Sequence, residues 1–199
     1  MDVVIIKYNA GNIESMKNAI LRLGIDAEIT SDPVRIQKAD KVIFPGVGEA
    51  STTMAFLKKE GLDHLILELK QPVLGVCLGL QLMCSHSEEG DTTCLGIFPE
   101  KVKRFVPQAG QEYITKVPHM GWNNFTSVES KLFDDSTENN YVYFVHSYYA
   151  EIGNHTVAVT NYINPFSAIL CKDNFYATQF HPEKSGVIGA KILKKFLDI

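Results

Sequence analysis

The first half of the chain alternates between two hydrophobic periods, and this alternation limits the possible folds more than any other feature. "VVIIKY" (3–8), "IDAEIT" (25–30), "KVIF" (41–44) and "PVLGV" (72–76) are short runs rich in β-branched residues. Between and after them lie "NIESMKNAILRLG" (12–24), "EASTTMAFLKKEG" (49–61), "LDHLILELK" (62–70) and "LGLQLMCSH" (78–86), which read as helix. In the first of these, Ile13, Met16, Ile20 and Leu23 fall at helical spacing, with Asn12 as the N-cap and Gly24 as the stop. Strands alternating with helices predict a parallel sheet with right-handed crossovers. Beyond about residue 95 the pattern changes. "YVYFVHSYYA" (141–150), "HTVAVTNYI" (155–163) and "SAILCKDNFYATQF" (167–180) read as strands, the last folded at "KDN" into a hairpin. "SGVIGAKILKKFLDI" (185–199) closes the chain as an amphipathic helix. The expectation is one α/β domain over residues 1–199, with a central mixed, mostly parallel sheet flanked by helices.

Composition removes several function classes. A net charge of -4 over 199 residues does not favour a polyanion, so no nucleic-acid partner is expected. The one basic cluster, "KVKRF" (101–105), reads as a solvated face or an edge strand. None of the four cysteines forms a C-x-x-C pair, which argues against a zinc cage; neither metal nor cofactor is expected. No stretch is apolar enough to span a bilayer, and the N-terminus lacks a leader pattern. A cytoplasmic chain with reduced thiols and no membrane association is the corresponding expectation.

"PVLGVCLGLQ" (72–81) places Cys77 between Gly75 and Gly79, at the junction of a strand and a helix. That is the cysteine form of a nucleophile elbow. The turn strains the nucleophile's backbone and brings neighbouring chains close, so glycine is needed on either side. A helix N-terminus favours thiolate over thiol, and the Leu78 N–H can donate to an oxyanion. Cys84, Cys94 and Cys171 lack this setting and read as packed core thiols.

A thiolate needs a proton partner, and "QFHPEKSG" (179–186) supplies one. His181 and Glu183 follow a strand, at the sheet edge where open α/β folds bind ligands. They stand two residues apart across Pro182, so both can point the same way. His181 can move the proton while Glu183 orients the ring and stabilises its charge. Alone, His-Pro-Glu is an ordinary surface turn; paired with the elbow it completes a triad. His64 and His155 read as a helix-face and a strand-start histidine.

"FPGVG" (44–48) lacks the residues of a phosphate loop. It reads either as an ordinary turn or as a flexible segment whose Gly46, Val47 and Gly48 N–H groups add a second oxyanion donor.

With "PGVG", "GVCLGLQ" and "HPE" in this order, the chain resembles the class I glutamine amidotransferases. "AGNIESMKNA", "SEEG", "PHMGWN" and "YFVHSY" look like the glutaminase subunits of imidazole glycerol phosphate synthases. The resemblance implies the fold of that class and glutamine as substrate. It implies attack by Cys77 on the side-chain amide, with His181 and Glu183 completing the triad. Oxyanion donors fall at Val47, Gly48 and Leu78. Gln81 and Glu89 hold the amino-acid end of the substrate, and Ser147 and Tyr148 make backbone contacts to it. Asn12, Trp122, Asn123, Tyr143 and Lys184 face a (β/α)8 synthase subunit in a heterodimer. That partner uses the ammonia to make imidazole glycerol phosphate and an aminoimidazole carboxamide ribotide. The sole tryptophan, Trp122, can equally be an interface anchor or a core residue. The first turn departs from the family, with Lys7 where an acid is usual and Asn9 where glycine is usual. The alternatives are a paralogous glutaminase feeding another synthase, such as one amidating a surface sugar, and a cysteine hydrolase of related fold.

Overall fold

The computed structural model describes residues 1–8, 13–107, 110, 115–129, 132 and 141–199. The elements run β1 (Val3–Ile6), α1 (Ile13–Arg22), β2 (Glu28–Thr30), α2 (Pro33–Lys38), β3 (Lys41–Gly46), α3 (Ala50–Lys59), α4 (Leu62–Glu68), β4 (Val73–Cys77) and α5 (Leu78–Met83). After these come β5 (His86–Ser87), β6 (Thr92–Thr93), β7 (Lys101–Arg104), β8 (His119–Asn124), β9 (Ser127–Val128), β10 (Tyr141–His146) and β11 (Tyr148–Ala150). The chain ends with β12 (Thr156–Asn161), β13 (Pro165–Lys172), β14 (Phe175–Thr178), a 3-10 turn (Pro182–Lys184) and α6 (Gly186–Asp198).

The main sheet has the order β2-β1-β3-β4-β14-β13-β12-β9. Pairing from β2 through β14 is parallel; β13, β12 and β9 add antiparallel strands on one side. This is the mixed, mostly parallel sheet expected. Its inner parallel strands β1, β3, β4 and β14 are buried on both faces, so they are largely apolar, while β2 is an exposed edge. Side chains alternate between two cores: Val4, Ile6, Val42 and Phe44 pack toward α2–α5, while Val3, Ile5 and Ile43 pack toward α1 and α6. Helix α1 ends as its sequence predicts. Gly24 takes φ +89, and its N–H and that of Ile25 return to Leu21 O and Ile20 O at 2.9 and 3.3 Å, a Schellman closure. The expected N-cap, Asn12, lies outside the described residues, as does Asn9. Lys7 is exposed at the end of β1, with its N–H on Thr30 O at 2.8 Å.

Three local expectations are corrected, and one helix was not read from the sequence. The unread helix is α2, Pro33–Lys38, started by Asp32, whose side chain accepts from the Val34 N–H at 2.9 Å, with Pro33 at the first position. The helix expected over 78–86 stops at Met83; Cys84 is extended and His86 enters β5. The run 141–150 is two strands in different sheets, because the chain turns at Ser147 from β10, paired with β8, to β11, paired with β7. Finally, β7 is not an edge: it lies between β11 and β5 in the order β11-β7-β5-β6. The solvated-face half of that reading holds, since Lys101 and Arg104 are exposed and Val102 is buried. Among the described residues no helix is long and apolar enough to cross a membrane.

Candidate active site

Strands β3, β4 and β14 are parallel neighbours, so their carboxyl ends bring residues 46–48, 77–81 and 179–183 to one sheet edge. Strand β4 passes directly into α5, and Cys77 between them takes φ 55, ψ -107. A residue with a Cβ reaches such a conformation only where its surroundings force it. Here three glycines let β3, β4 and α5 touch. A Cβ on Gly79 would lie 2.2 Å from Phe44 O, and one on Gly46 would lie 2.3 Å from Gly79 N. One on Gly75 would lie 2.8 Å from Met83 Sδ. Gly75 and Gly79 thus have the packing role their spacing suggests. Gly46 has it too, whereas Gly48, at φ +115 with open space around it, retains the mobility.

His181 Nδ1 lies 2.8 Å from Glu183 Oε1, with the two side chains 3% and 4% exposed. Its Nε2 is buried with no hydrogen-bond partner among the described residues, and it lines the same cavity as Cys77, which acts on the ring's charge. Burial opposes the ring's charge, but Cys77 and Glu183 outweigh it and raise His181 from 6.5 to about 10. The pair therefore holds an imidazolium. A raised folded-state value means that this arrangement stabilises the fold fully below 6.5 and ceases to do so as pH climbs through about 10. Cys77 Sγ also lies 3.8 Å from both Val145 O and Gln179 Nε2. By contrast, burial first of all pushes Cys84 well above the ordinary thiol value and Cys94 up to about 11, which keeps both as inert thiols. Cys171 is only half-buried, less enclosed than expected.

A cavity of about 370 Å³ opens over Cys77. Val47, Gly48, Leu78, Gln81, Glu89, Ser147, Tyr148 and His181 line it with Cys77. Glu183 stands behind His181 and does not line it. Gln81 Nε2 donates to Tyr148 O at 2.8 Å and to Gln179 Oε1 at 3.1 Å. Glu89 Oε2 accepts from Ala50 N at 2.8 Å, and burial raises its carboxyl above the usual range.

Of the residues expected at a partner surface, Trp122, Tyr143 and Lys184 meet on one face. The Trp122 and Tyr143 rings are 5.9 Å apart, and the Lys184 amine lies 6.0 Å over the Tyr143 ring. Trp122 is 55% exposed, which removes the core reading. Asn123, one residue on, turns to the opposite face of β8, and Asn12 is outside the described residues. The face connects to the triad through backbone. The His181 N–H donates to Tyr143 O at 2.9 Å, and the Tyr143 N–H donates to Ser185 Oγ at 2.9 Å.

Four residues at the site were not singled out from sequence. Tyr8 donates its hydroxyl to Pro45 O, pinning the base of the "PGVG" segment, and burial, then the nearby Cys77, raises its pKa. Gln179 bridges Gln81 and the Cys77 sulfur. His119 and His146 form a buried pair beside Tyr148, with His146 at the cavity wall. Gln179 precedes the His-Pro-Glu turn and was open to inspection; the other three depend on pairings no local pattern carries.

The chain belongs to the class I glutamine amidotransferases: the family model described as "Glutamine amidotransferase class-I" matches residues 4–199. It is 60% identical over 199 residues to the imidazole glycerol phosphate synthase subunit HisH of Bacteroides thetaiotaomicron, covering 100% of both chains. To the protein of the same name from Idiomarina loihiensis it is 42% identical, covering 100% of this chain and 98% of the other. Among solved structures, a glutamine amidotransferase from Thermotoga maritima superposes with a TM-score of 0.61 at 18% identity, over 100% of this chain and 81% of that one. That last likeness is one of fold.

Proposed function

We propose that the chain is the glutaminase subunit of an imidazole glycerol phosphate synthase, a single amidotransferase domain over residues 1–199 that works in the cytoplasm. The placement of Cys77 and a Glu183-backed His181 in the lining of one amino-acid-sized cavity carries the reading. Relatives named as this subunit match from end to end.

Glutamine enters with its side-chain amide over Cys77. Gln81, whose Nε2 is committed to Tyr148 and Gln179, offers its Oε1 to the substrate's amine, and Glu89 adds negative charge. Cys77 Sγ attacks the amide carbon. Negative charge moves to oxygen, opposite the N–H groups of Leu78 and of Val47 or Gly48. His181 Nε2–H protonates the departing nitrogen, and ammonia leaves a thioester. The neutral ring then takes a proton from water, and the hydroxide attacks the thioester. Thiolate is expelled, and the new carboxyl group loses its proton to solvent. Glu183 holds the ring in place throughout. Ammonia released into water would be protonated and lost as a nucleophile, so it passes directly to a (β/α)8 synthase subunit. That subunit docks on the face formed by Trp122, Tyr143 and Lys184.

Glutamate release by the isolated chain is expected to be slow. It should rise on the order of 100-fold when the (β/α)8 partner is added with its nucleotide ligand, the upper range of ordinary coupling energies. No rise with that partner would assign the chain to a different synthase. Glu183→Gln is expected to lower kcat/KM about 10³-fold by losing ring charge and orientation. Because Glu183 is one of the two groups that raise His181, the alkaline limb of the pH profile should also move to lower pH. An unchanged alkaline limb would rule out Glu183 as the partner of His181.

A further inference from the structure

From His146, which itself lines the cavity, a hydrogen-bonded chain that takes no part in the proton transfers runs back into the core. His146 Nδ1 is 2.8 Å from Tyr148 O, and His119 Nδ1 is 3.0 Å from His146 Nε2. Asn123 Nδ2 is 3.4 Å from His119 Nε2 and 2.9 Å from Asn161 O. A carbonyl oxygen only accepts, so His146 carries its proton on Nδ1. Its Nε2 must then accept, which places the His119 proton on Nδ1 as well. His119 Nε2 is left to accept from the Asn123 amide. One pair of neutral tautomers satisfies every bond. A cation at His146 would set two N–H groups against each other.

The surroundings enforce this state. The two histidines are 3% and 6% exposed. His119 stacks on Tyr162 and Phe144 with ring centres 4.1 and 4.9 Å away, and Phe105 lies 5.4 Å from His146. Burial lowers His119 to about 4 and His146 to about 3, and the neighbouring His119 and His181 rings also disfavour charge on His146. In so apolar a site each hydrogen bond is strengthened and each unmade one is costly.

The chain ends on the peptide that meets the substrate. Tyr148 O accepts from both His146 and Gln81. On the other side, the Phe105 N–H donates to Ser147 O at 3.0 Å. The adjacent Tyr148–Arg104 pair is therefore a non-hydrogen-bonded one in the β11–β7 ladder, and the Tyr148 N–H turns away from β7. Tyr148 lines the cavity, so this N–H is available to a substrate carboxylate.

We propose that His146 and His119 are positioning residues: the neutral pair fixes the Tyr148 peptide, so that its N–H grips the carboxylate of the amino-acid substrate. The inference rests on the glutaminase reading and adds which groups set substrate affinity. In the complex with the synthase subunit, His146→Phe keeps the ring's shape and removes the bond to Tyr148. KM for glutamine is expected to rise about tenfold, with kcat within about twofold, as befits a hydrogen bond lost from ground state and transition state alike. His146→Asn puts an amide nitrogen where Nδ1 stood and should recover most of the affinity. If Phe leaves KM unchanged, or Asn does no better than Phe, the positioning role is refuted. Absence of glutaminase in the wild-type complex would instead refute the proposed function. A measurement on the wild-type chain does not depend on how the variants fold. Imidazole ¹⁵N shifts should show both rings neutral with Nδ1–H between about pH 5 and 8, where a free histidine titrates. An Nε2–H tautomer or a cation on either ring overturns the proposal.

Discussion

Replacing Cys77 by serine is expected to cut glutamine hydrolysis by at least about 10⁴-fold, the scale seen when a catalytic nucleophile is lost. Size and fold change little, since serine fills the elbow that cysteine fills. The chemistry changes because of His181. Its ring is held as an imidazolium by the very groups it serves, up to about 10. A cysteine attacks as thiolate, its proton having already passed to the ring, whereas an alcohol is so much weaker an acid that its proton must be removed during the attack, and a charged ring cannot do that. Synthesis of the ribotide and imidazole products from added ammonia should persist in the complex, because that step belongs to the partner. The two assays together locate the defect: glutamate release measured on the variant, and product formation with ammonium salt in place of glutamine. Glutamate release near the wild-type rate would move the nucleophile away from Cys77.

Much of this site was readable because its signals are local. The Gly-Val-Cys-Leu-Gly run demands an elbow wherever a strand meets a helix, and His181, Pro182 and Glu183 need only one turn to align. What the sequence hides is pairing at a distance. "YVYFVHSYYA" is β-branched or aromatic on both sides of His146 and Ser147, and two polar residues inside such a run do not mark Ser147 as the point where the chain leaves β8 and joins β7. The register of β10 on β8 places His146 against His119, twenty-seven positions away in sequence. Nothing in "PHMGWN" marks a strand, so Trp122 and Asn123 were both expected at the partner surface; along β8 they face opposite sides, and the sequence does not say which side is open. Only the pairing of β8 with β10, which stacks Trp122 on Tyr143, decides it. Helix α2 is a different case: Asp32 and Pro33 are an ordinary start signal, overlooked because the helix is only six residues long.

Glycine at position 79 is the test of whether close packing, rather than the cysteine alone, makes the elbow. Gly79→Ala adds a Cβ that would sit 2.2 Å from Phe44 O and 3.3 Å from Phe44 C. These are backbone atoms of β3, so no side chain can rotate away to make room. Either α5 retreats or β3 bends, and Cys77 and Val47 sit at the ends of those two elements. Overpacking of this kind costs about 3 kcal/mol, which for a chain of this size lowers Tm by roughly 10 °C. Because a displacement near 1 Å at a reacting atom costs about 10²-fold, kcat/KM for glutamine should fall at least that far in the fraction that folds. Gly24→Ala is the comparison: Gly24 has φ +89 with open space around it, so alanine there meets only the backbone strain of about 1 kcal/mol and leaves the site in place. Thermal melts and glutamate assays on the two variants separate the effects. If Gly79→Ala melts no lower than Gly24→Ala and keeps its activity, then β3, β4 and α5 do not press together as described. The positive φ at Cys77 would then have to be held by something other than the three glycines around it.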